Sequence, residues 1–419
     1  MGVTVAVALS GGVAKAQTQT PESIEEPPVS RAGLLRAERK ARVAEIKPPE
    51  RTSLEKGLEH YDAGMLLLGT VQSGWHGVRL AGGEFPAGAG FNFGVGYRDL
   101  AVGSVYQDPD MPNRVDVDLV AATSTRSYHE LSANVAFRNV GGSIFNFRAR
   151  GKWYEFPEED FFGLGGDAVE ENRSSYLQRG LDVGGDFWLA PIRGFHFGGG
   201  ATFSNPRIGS GRDPRFPSTE EIFDPNEIPG FTAQPDFVRF DANLSYDWRD
   251  EPLRPRSGGF YSLRASNYND QDLDQFDFRQ YEVDLQQYIP WMNRYRVVAL
   301  RANVVISDAD AGQEVPFYYM PHLGGGERLR GFREFRFRDR NSLLFTAEYR
   351  WEAWWALEMA VFADAGKVTA ERSDLNLNHL KTTYGIGLRF HSSDAVSFRI
   401  DFAFSDEGFI PLLRYTHVF

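Results

Sequence analysis

Two carboxylates are marked out by the face on which the sequence pattern places them. In Phe345-Thr346-Ala347-Glu348-Tyr349-Arg350, Glu348 alternates with Thr346 and Arg350 on a polar side, opposite Phe345, Ala347 and Tyr349. In the following apolar–polar run, Asp364 lies opposite Val361 and Ala363. Successive side chains of a strand point to opposite faces, so two neighbouring strands with these phases bring both acids to one side. Two facing carboxylates invite a cation. Other chemistry is not visible. The eight histidines (His60, His76, His129, His196, His322, His379, His391 and His417) include no His-Glu-x-x-His spacing. There is no Gly-x-Ser-x-Gly elbow and no phosphate-cradling loop. Ser127 and His129 are expected on one face of a strand, a spacing too common to imply a hydrolase. No catalytic, metal-binding or cofactor-binding residue is expected, and enzymatic activity is not.

The elements that position the two acids follow from composition and periodicity. The chain has 419 residues, no cysteine, 43 glycines and 33 phenylalanines. Without cysteine it can hold neither a disulfide scaffold nor a thiolate zinc site. Its net charge of -12 argues against nucleic acid as a partner, because phosphate recognition needs a basic face. No apolar run reaches the roughly 18 residues of a spanning helix. Hydropathy does not exclude a transmembrane β-barrel, whose strands alternate lipid-facing and lumen-facing side chains.

Alternation runs through nearly the whole chain after about residue 73. Tyr384, Ile386, Leu388 and Phe390 oppose Thr383, Gly385, Gly387, Arg389 and His391. Phe398, Ile400, Phe402 and Phe404 oppose Ser397, Arg399, Asp401 and Ser405. Short connections are expected near 139–141, 190–192, 290–293, 352–353 and 392–394, and long ones near 155–173, 204–236, 308–339 and 365–380. This reads as an all-β chain, a single closed antiparallel transmembrane barrel of about 16 strands. Trp248, Trp291, Trp351, Trp354 and Trp355 sit at strand ends beside short turns, where an interfacial girdle belongs. Leu413, Tyr415 and Phe419 are expected to share a face and to form a C-terminal assembly signal.

Residues 1–16 read as a trimmed signal peptide ending at Ala14-Lys15-Ala16. Residues 17–60 read as a disordered linker followed by a short basic amphipathic helix over 31–47. That helix is expected in or beneath an acidic lumen. The barrel is assigned to 73–419.

Four segments in the second half, in order, resemble the bacterial surface antigen barrels, the family of BamA/TamA-type outer-membrane assembly and two-partner secretion transporters. Asp247-Trp248-Arg249-Asp250 with Pro255 and Gly258 is similar to the family's periplasmic turn. Gly324-Gly325-Gly326-Glu327-Arg328-Leu329-Arg330-Gly331-Phe332 is similar to the tip of its inward external loop. Phe345–Arg350 and Phe362-Ala363-Asp364-Ala365-Gly366 complete the set. The resemblance implies that Arg330 folds inward to meet Glu348 and Asp364, which a guanidinium fork can bridge. It implies residence in the bacterial outer membrane and assistance in inserting or translocating proteins or lipids. Implied partners are outer-membrane lipids, the barrel assembly machinery and a polypeptide or lipid client. No βααββ pattern precedes the first strand, so the chain looks like a barrel-only member lacking POTRA domains. The alternatives are a passive porin-like channel and, less favoured, an outer-membrane lipid hydrolase.

Overall fold

The computed structural model describes residues 76–86, 88–100, 112–292, 295–354, 357–391, 396–414 and 419. The signal peptide, the linker with its basic helix, the question of a preceding domain, Trp355 and Tyr415 fall outside the described residues. Those described belong to one compact unit, Gly64–Phe419.

The strands are β1 (Val78–Ala81), β2 (Asn92–Leu100), β3 (Arg114–Ser124), β4 (His129–Arg138), β5 (Phe145–Phe161), β6 (Ser174–Ile192), β7 (Phe195–Ser204) and β8 (Arg207–Ser210). They continue with β9 (Phe237–Asp247), β10 (Gly258–Asp270), β11 (Phe278–Trp291), β12 (Arg296–Ala309), β13 (His322–Leu323) and β14 (Phe337–Arg338). The last are β15 (Asn341–Trp354), β16 (Leu357–Thr369), β17 (Lys381–His391), β18 (Val396–Ser405) and β19 (Gly408–Arg414). Seventeen of them form a single sheet, while β13 and β14 make a separate two-stranded hairpin inside the β12–β15 connection. Every ladder of the sheet is antiparallel, and consecutive strands of the sheet pair except around β8, where β9 pairs with β7. β7 and β8 both pair with β6 and share one place in the meander.

The alternation works in the sense opposite to that of a water-soluble sheet. Outward residues are apolar and exposed, with Tyr384 65% and Ile386 51% accessible, while inward Arg389, Arg399 and Asp401 are at 0%. Such a surface is stable only against hydrocarbon, where the fully paired backbone of neighbouring strands leaves no orphan polar groups. The sheet curls: Arg150 of β5 comes within 3.9 Å of Asp241 of β9, and Arg256 of the β9–β10 turn donates to Glu352 of β15 at 2.7 Å. Among the described residues no ladder joins β1 to β19, so the closed barrel expected above is represented by a curled sheet with a seam.

Several boundaries differ from the expectation. β6 runs through Ala190–Ile192, and the turn is Arg193-Gly194. β15 continues to Trp354, and β5, β12 and β16 extend to Phe161, Ala309 and Thr369, inside segments read as loops. Pairing continues to these strand ends although the apolar alternation that marks a strand has faded in the sequence. Ser127 lies in the tight β3–β4 turn with φ 59°, not on a strand face, and His129 Nδ1 pairs with the Thr123 hydroxyl at 2.9 Å. Trp248 and Trp291 are exposed at the short-turn end. An aromatic core joins strand ends to the long connections, with Phe161, Tyr176, Phe231 and Phe317 in one cluster and Phe237, Tyr268, Phe276 and Phe278 in another.

Candidate functional site

The β12–β15 connection turns back onto the concave face. At Gly324 φ is +112°, and a Cβ there would lie 2.0 Å from the Arg333 carbonyl. Gly331, with φ +95°, passes against the Phe404 backbone. Neither position admits an ordinary side chain. The Gly324 amide donates to Arg328 O at 2.7 Å and the Gly325 amide to Phe332 O at 3.0 Å, which closes a compact tip. Leu329 and Phe332 are buried with Leu323, Phe337, Leu344 and Val368. This apolar plug holds Arg330 in place between them.

Arg330 is fully buried. Its backbone amide and Nε donate to Asp364 Oδ2 at 3.0 and 2.9 Å, and its Nη2 donates to Asp364 Oδ1 at 2.8 Å. Nη1 donates to Glu348 Oε1 at 2.5 Å. The guanidinium lies 3.5 Å from the centre of the Phe362 ring, a cation–π contact. Glu348 and Asp364 come from adjacent strands, β15 and β16, and the structure brings both to the one arginine.

Further charges belong to the cluster. Arg350 Nε donates to Glu348 Oε2 at 2.7 Å and Arg389 Nη2 to Glu348 Oε1 at 2.9 Å. Asp401 lies 3.4 Å from Arg389, 3.1 Å from Arg399 and 3.8 Å from Arg330. Arg399 Nη2 donates to Gly326 O at 2.5 Å, and the Ser405 hydroxyl donates to Gly331 O at 2.7 Å. Thus β15, β16, β17 and β18 all reach the loop tip. Arg389, Arg399 and Asp401 were each legible as polar-face residues, but alternation along one strand does not say which inward residues meet. The loop is also held at its sides, by Arg336 to Glu407 and by Glu334 to Arg414.

This arrangement fastens a loop; it does not supply a nucleophile or an acid–base pair. Removing one partner of a buried ion pair leaves an uncompensated charge at a cost of about 3–5 kcal/mol, so the cluster strongly favours the docked loop. Among the described residues no group of three or more histidines or acids is placed to hold a metal ion.

At the short-turn end, Arg249 makes a two-pronged contact with Asp247 at 2.9 and 2.7 Å. The Asp250 carboxylate accepts the backbone amides of Glu251, Arg256 and Ser257, each at 3.0 Å. Pro255 is buried beneath this turn, and Gly258 leaves it with φ +98°. Leu413 is exposed on the outward face. Phe419 is not beside it: its ring packs against Tyr288, 6.0 Å away, and under the guanidinium of Arg350 at 5.3 Å. The shared face expected for these two residues is therefore not found: the ring lies against Tyr288 and Arg350 instead.

Comparison with known proteins bears on the fold. Residues 227–408 match the Omp85 superfamily domain, a span that contains the turn, the loop tip and both acids. BamA from Haemophilus ducreyi lacking POTRA domains 1–3 is similar in structure, with a TM-score of 0.56 at 12% identity, covering 80% of this chain and 69% of that one. CdiB from Escherichia coli has a TM-score of 0.51 at 10% identity, covering 86% and 69%. At these identities the likeness establishes the fold. No curated protein matches the chain by sequence.

Proposed function

We infer, from the match of residues 227–408 to the Omp85 superfamily domain, that the chain is a closed outer-membrane β-barrel that assists insertion or translocation of proteins or lipids. It resides in the bacterial outer membrane, with the long connections outside and the Asp247–Gly258 turn on the periplasmic side. The observation that carries this reading is the anchored loop. Arg330, pinned across Glu348 and Asp364, packs one side of the concave face with protein and ties the wall from β15 to β18 into one unit. A wide passive pore has no need of an immobilised plug with a fully buried charge cluster. The motif residues Gly324, Gly325, Gly326, Leu329, Gly331 and Phe332 shape the tip so that Arg330 reaches inward. The partners proposed are outer-membrane lipids, the barrel assembly machinery for the chain's own insertion, and a polypeptide or lipid client.

A second reading, a passive channel, is favoured by the half-exposed polar side chains that face inward from β4 to β9, where the loop tip makes no contact. Reconstitution into liposomes separates the two. Faster membrane insertion of an unfolded barrel client, with little steady solute conductance, supports the assembly reading. A steady conductance without any effect on client insertion overturns it.

A further inference from the structure

One cross-strand row on the concave face is built differently from its neighbours. Reading across β4, β5, β6, β7 and β9, register aligns Asn134, Arg150, Gly184, Thr202 and Arg239. All five are on the inward side. Gly184 lets β6 and β7 approach closely, since a Cβ there would stand 2.4 Å from Ala201 O and 2.7 Å from the Thr202 hydroxyl. The row opens into a cavity of about 290 Å³ whose walls include Asn134, Arg148, Arg150, Thr202 and Arg239.

The charges around this cavity are almost all matched at close range. Arg148 makes a two-pronged contact with Asp186 at 3.1 and 3.0 Å. Arg239 donates to Asp241 at 2.9 Å. Lys152 lies 3.2 Å from Glu84 and 3.3 Å from Glu130. Asp182 accepts the Ser204 hydroxyl. Arg150 is the exception among the described cations of the cavity. Its Nη2 donates to the Thr202 hydroxyl at 3.0 Å, and its nearest carboxylates, Asp186 and Asp241, stay at 3.8 and 3.9 Å. A half-buried guanidinium without a close counter-charge has donor capacity left over, and its planar fork suits an oxyanion.

We propose that Arg150, with Arg239, Thr202 and Asn134, forms a binding site for the phosphate or carboxylate group of a small soluble molecule. Arg150 supplies charge, beside Arg239 with its Asp241 partner. The Thr202 hydroxyl and the Asn134 amide supply directional hydrogen bonds, and the cavity supplies room. The site faces away from hydrocarbon, so its ligand arrives through water within the concave side and not from the lipid phase.

Titration calorimetry of the full chain in detergent micelles tests this with inorganic phosphate as the probe. The wild type should bind saturably, with a dissociation constant on the order of 1 mM. Arg150→Gln should weaken binding by at least about tenfold and Thr202→Val by a few-fold, as expected for loss of a charged and a neutral hydrogen bond. Arg98→Gln, on a half-exposed arginine paired with Asp118 on β3, should leave binding unchanged. Acetate is titrated in parallel: binding of phosphate alone assigns a phosphorylated ligand, and equal binding of both assigns a general oxyanion site. Non-saturable heats with the wild type, or equal affinity of the wild type and Arg150→Gln, would overturn the site. Competition by an anionic phospholipid added to the micelle would overturn the soluble source.

Discussion

Arg330 is joined to Asp364 by three nitrogens, and one of them is its own backbone amide. The side-chain bonds hold the guanidinium, and the amide bond holds the chain at the loop tip. A side chain can be exchanged without moving the loop only if that amide bond survives.

Arg330→Ala should therefore undock the loop more than it unfolds the sheet. The loss of a buried charge partner corresponds to about 3–5 kcal/mol, exerted on the docked loop. Arg330→Lys should restore little, because a point charge cannot span Glu348 and Asp364. Protease digestion of the 310–340 connection should be accelerated in both variants, with heat-modifiable gel mobility retained. Unchanged protection in Arg330→Ala would remove the anchor from the argument.

Glu348 should be the more sensitive of the two acids. It serves Arg330, Arg350 and Arg389, whereas Asp364 serves Arg330 and accepts a 3.4 Å bond from the Thr383 hydroxyl. Glu348→Gln leaves three guanidiniums short of a counter-charge and should lower the yield of folded barrel more than Asp364→Asn does. Equal yields in a side-by-side refolding assay would contradict that ranking.

Loop docking should weaken on acidification. Burial, with Arg328 and Arg338 nearby, lowers the His322 imidazole to about 4 against the opposing pull of Glu334. The ordinary value is about 6.5, so the undocked loop takes up the proton first. The contribution of neutral His322 is complete above about 6.5 and is lost as pH falls toward about 4. Protease sensitivity of the connection should rise through that window, and His322→Asn should flatten the rise. An identical pH profile in the variant would assign the effect to other groups.

Gly258→Ala tests the Asp247–Gly258 turn. Its Cβ would enter at 2.3 Å from Trp248 O, and φ is +98°. Strain of about 1–3 kcal/mol is typical of such a position. The folded fraction in detergent should fall, and Asp250→Ala, which deprives three amides of their acceptor, should act in the same direction. Wild-type folding in both would make the turn a passive connection.

How much of this was legible in the sequence depended on distance along the chain. The phase of Glu348 against Tyr349, or of Asp364 against Ala363, is a local property of a strand and can be read from a few residues. The company of Arg389, Arg399 and Asp401 is not local, because it is produced by the curl of four strands around a loop tip. The ends of β5, β12 and β16 beside the long connections were hidden because pairing runs on there after the apolar alternation has faded. Charges on the concave face stand in matched pairs, such as Arg148 with Asp186 and Arg301 with Asp284. Net charge sums over the whole chain and does not report which charges face one another.

The ladders also differ in length around the sheet. β11 and β12 are held by fourteen paired residues, β18 and β19 by seven, and β1 and β2 by four. A pull spread over the wall is therefore resisted unevenly, and the two ends will yield before the middle. The loop contacts to Arg399, Ser405, Glu407 and Arg414 reinforce one of those ends, but among the described residues none of them reaches β1. The molecule is a hoop with a splint on only one side of its joint, and under load the unsplinted N-terminal strand is the part that should peel.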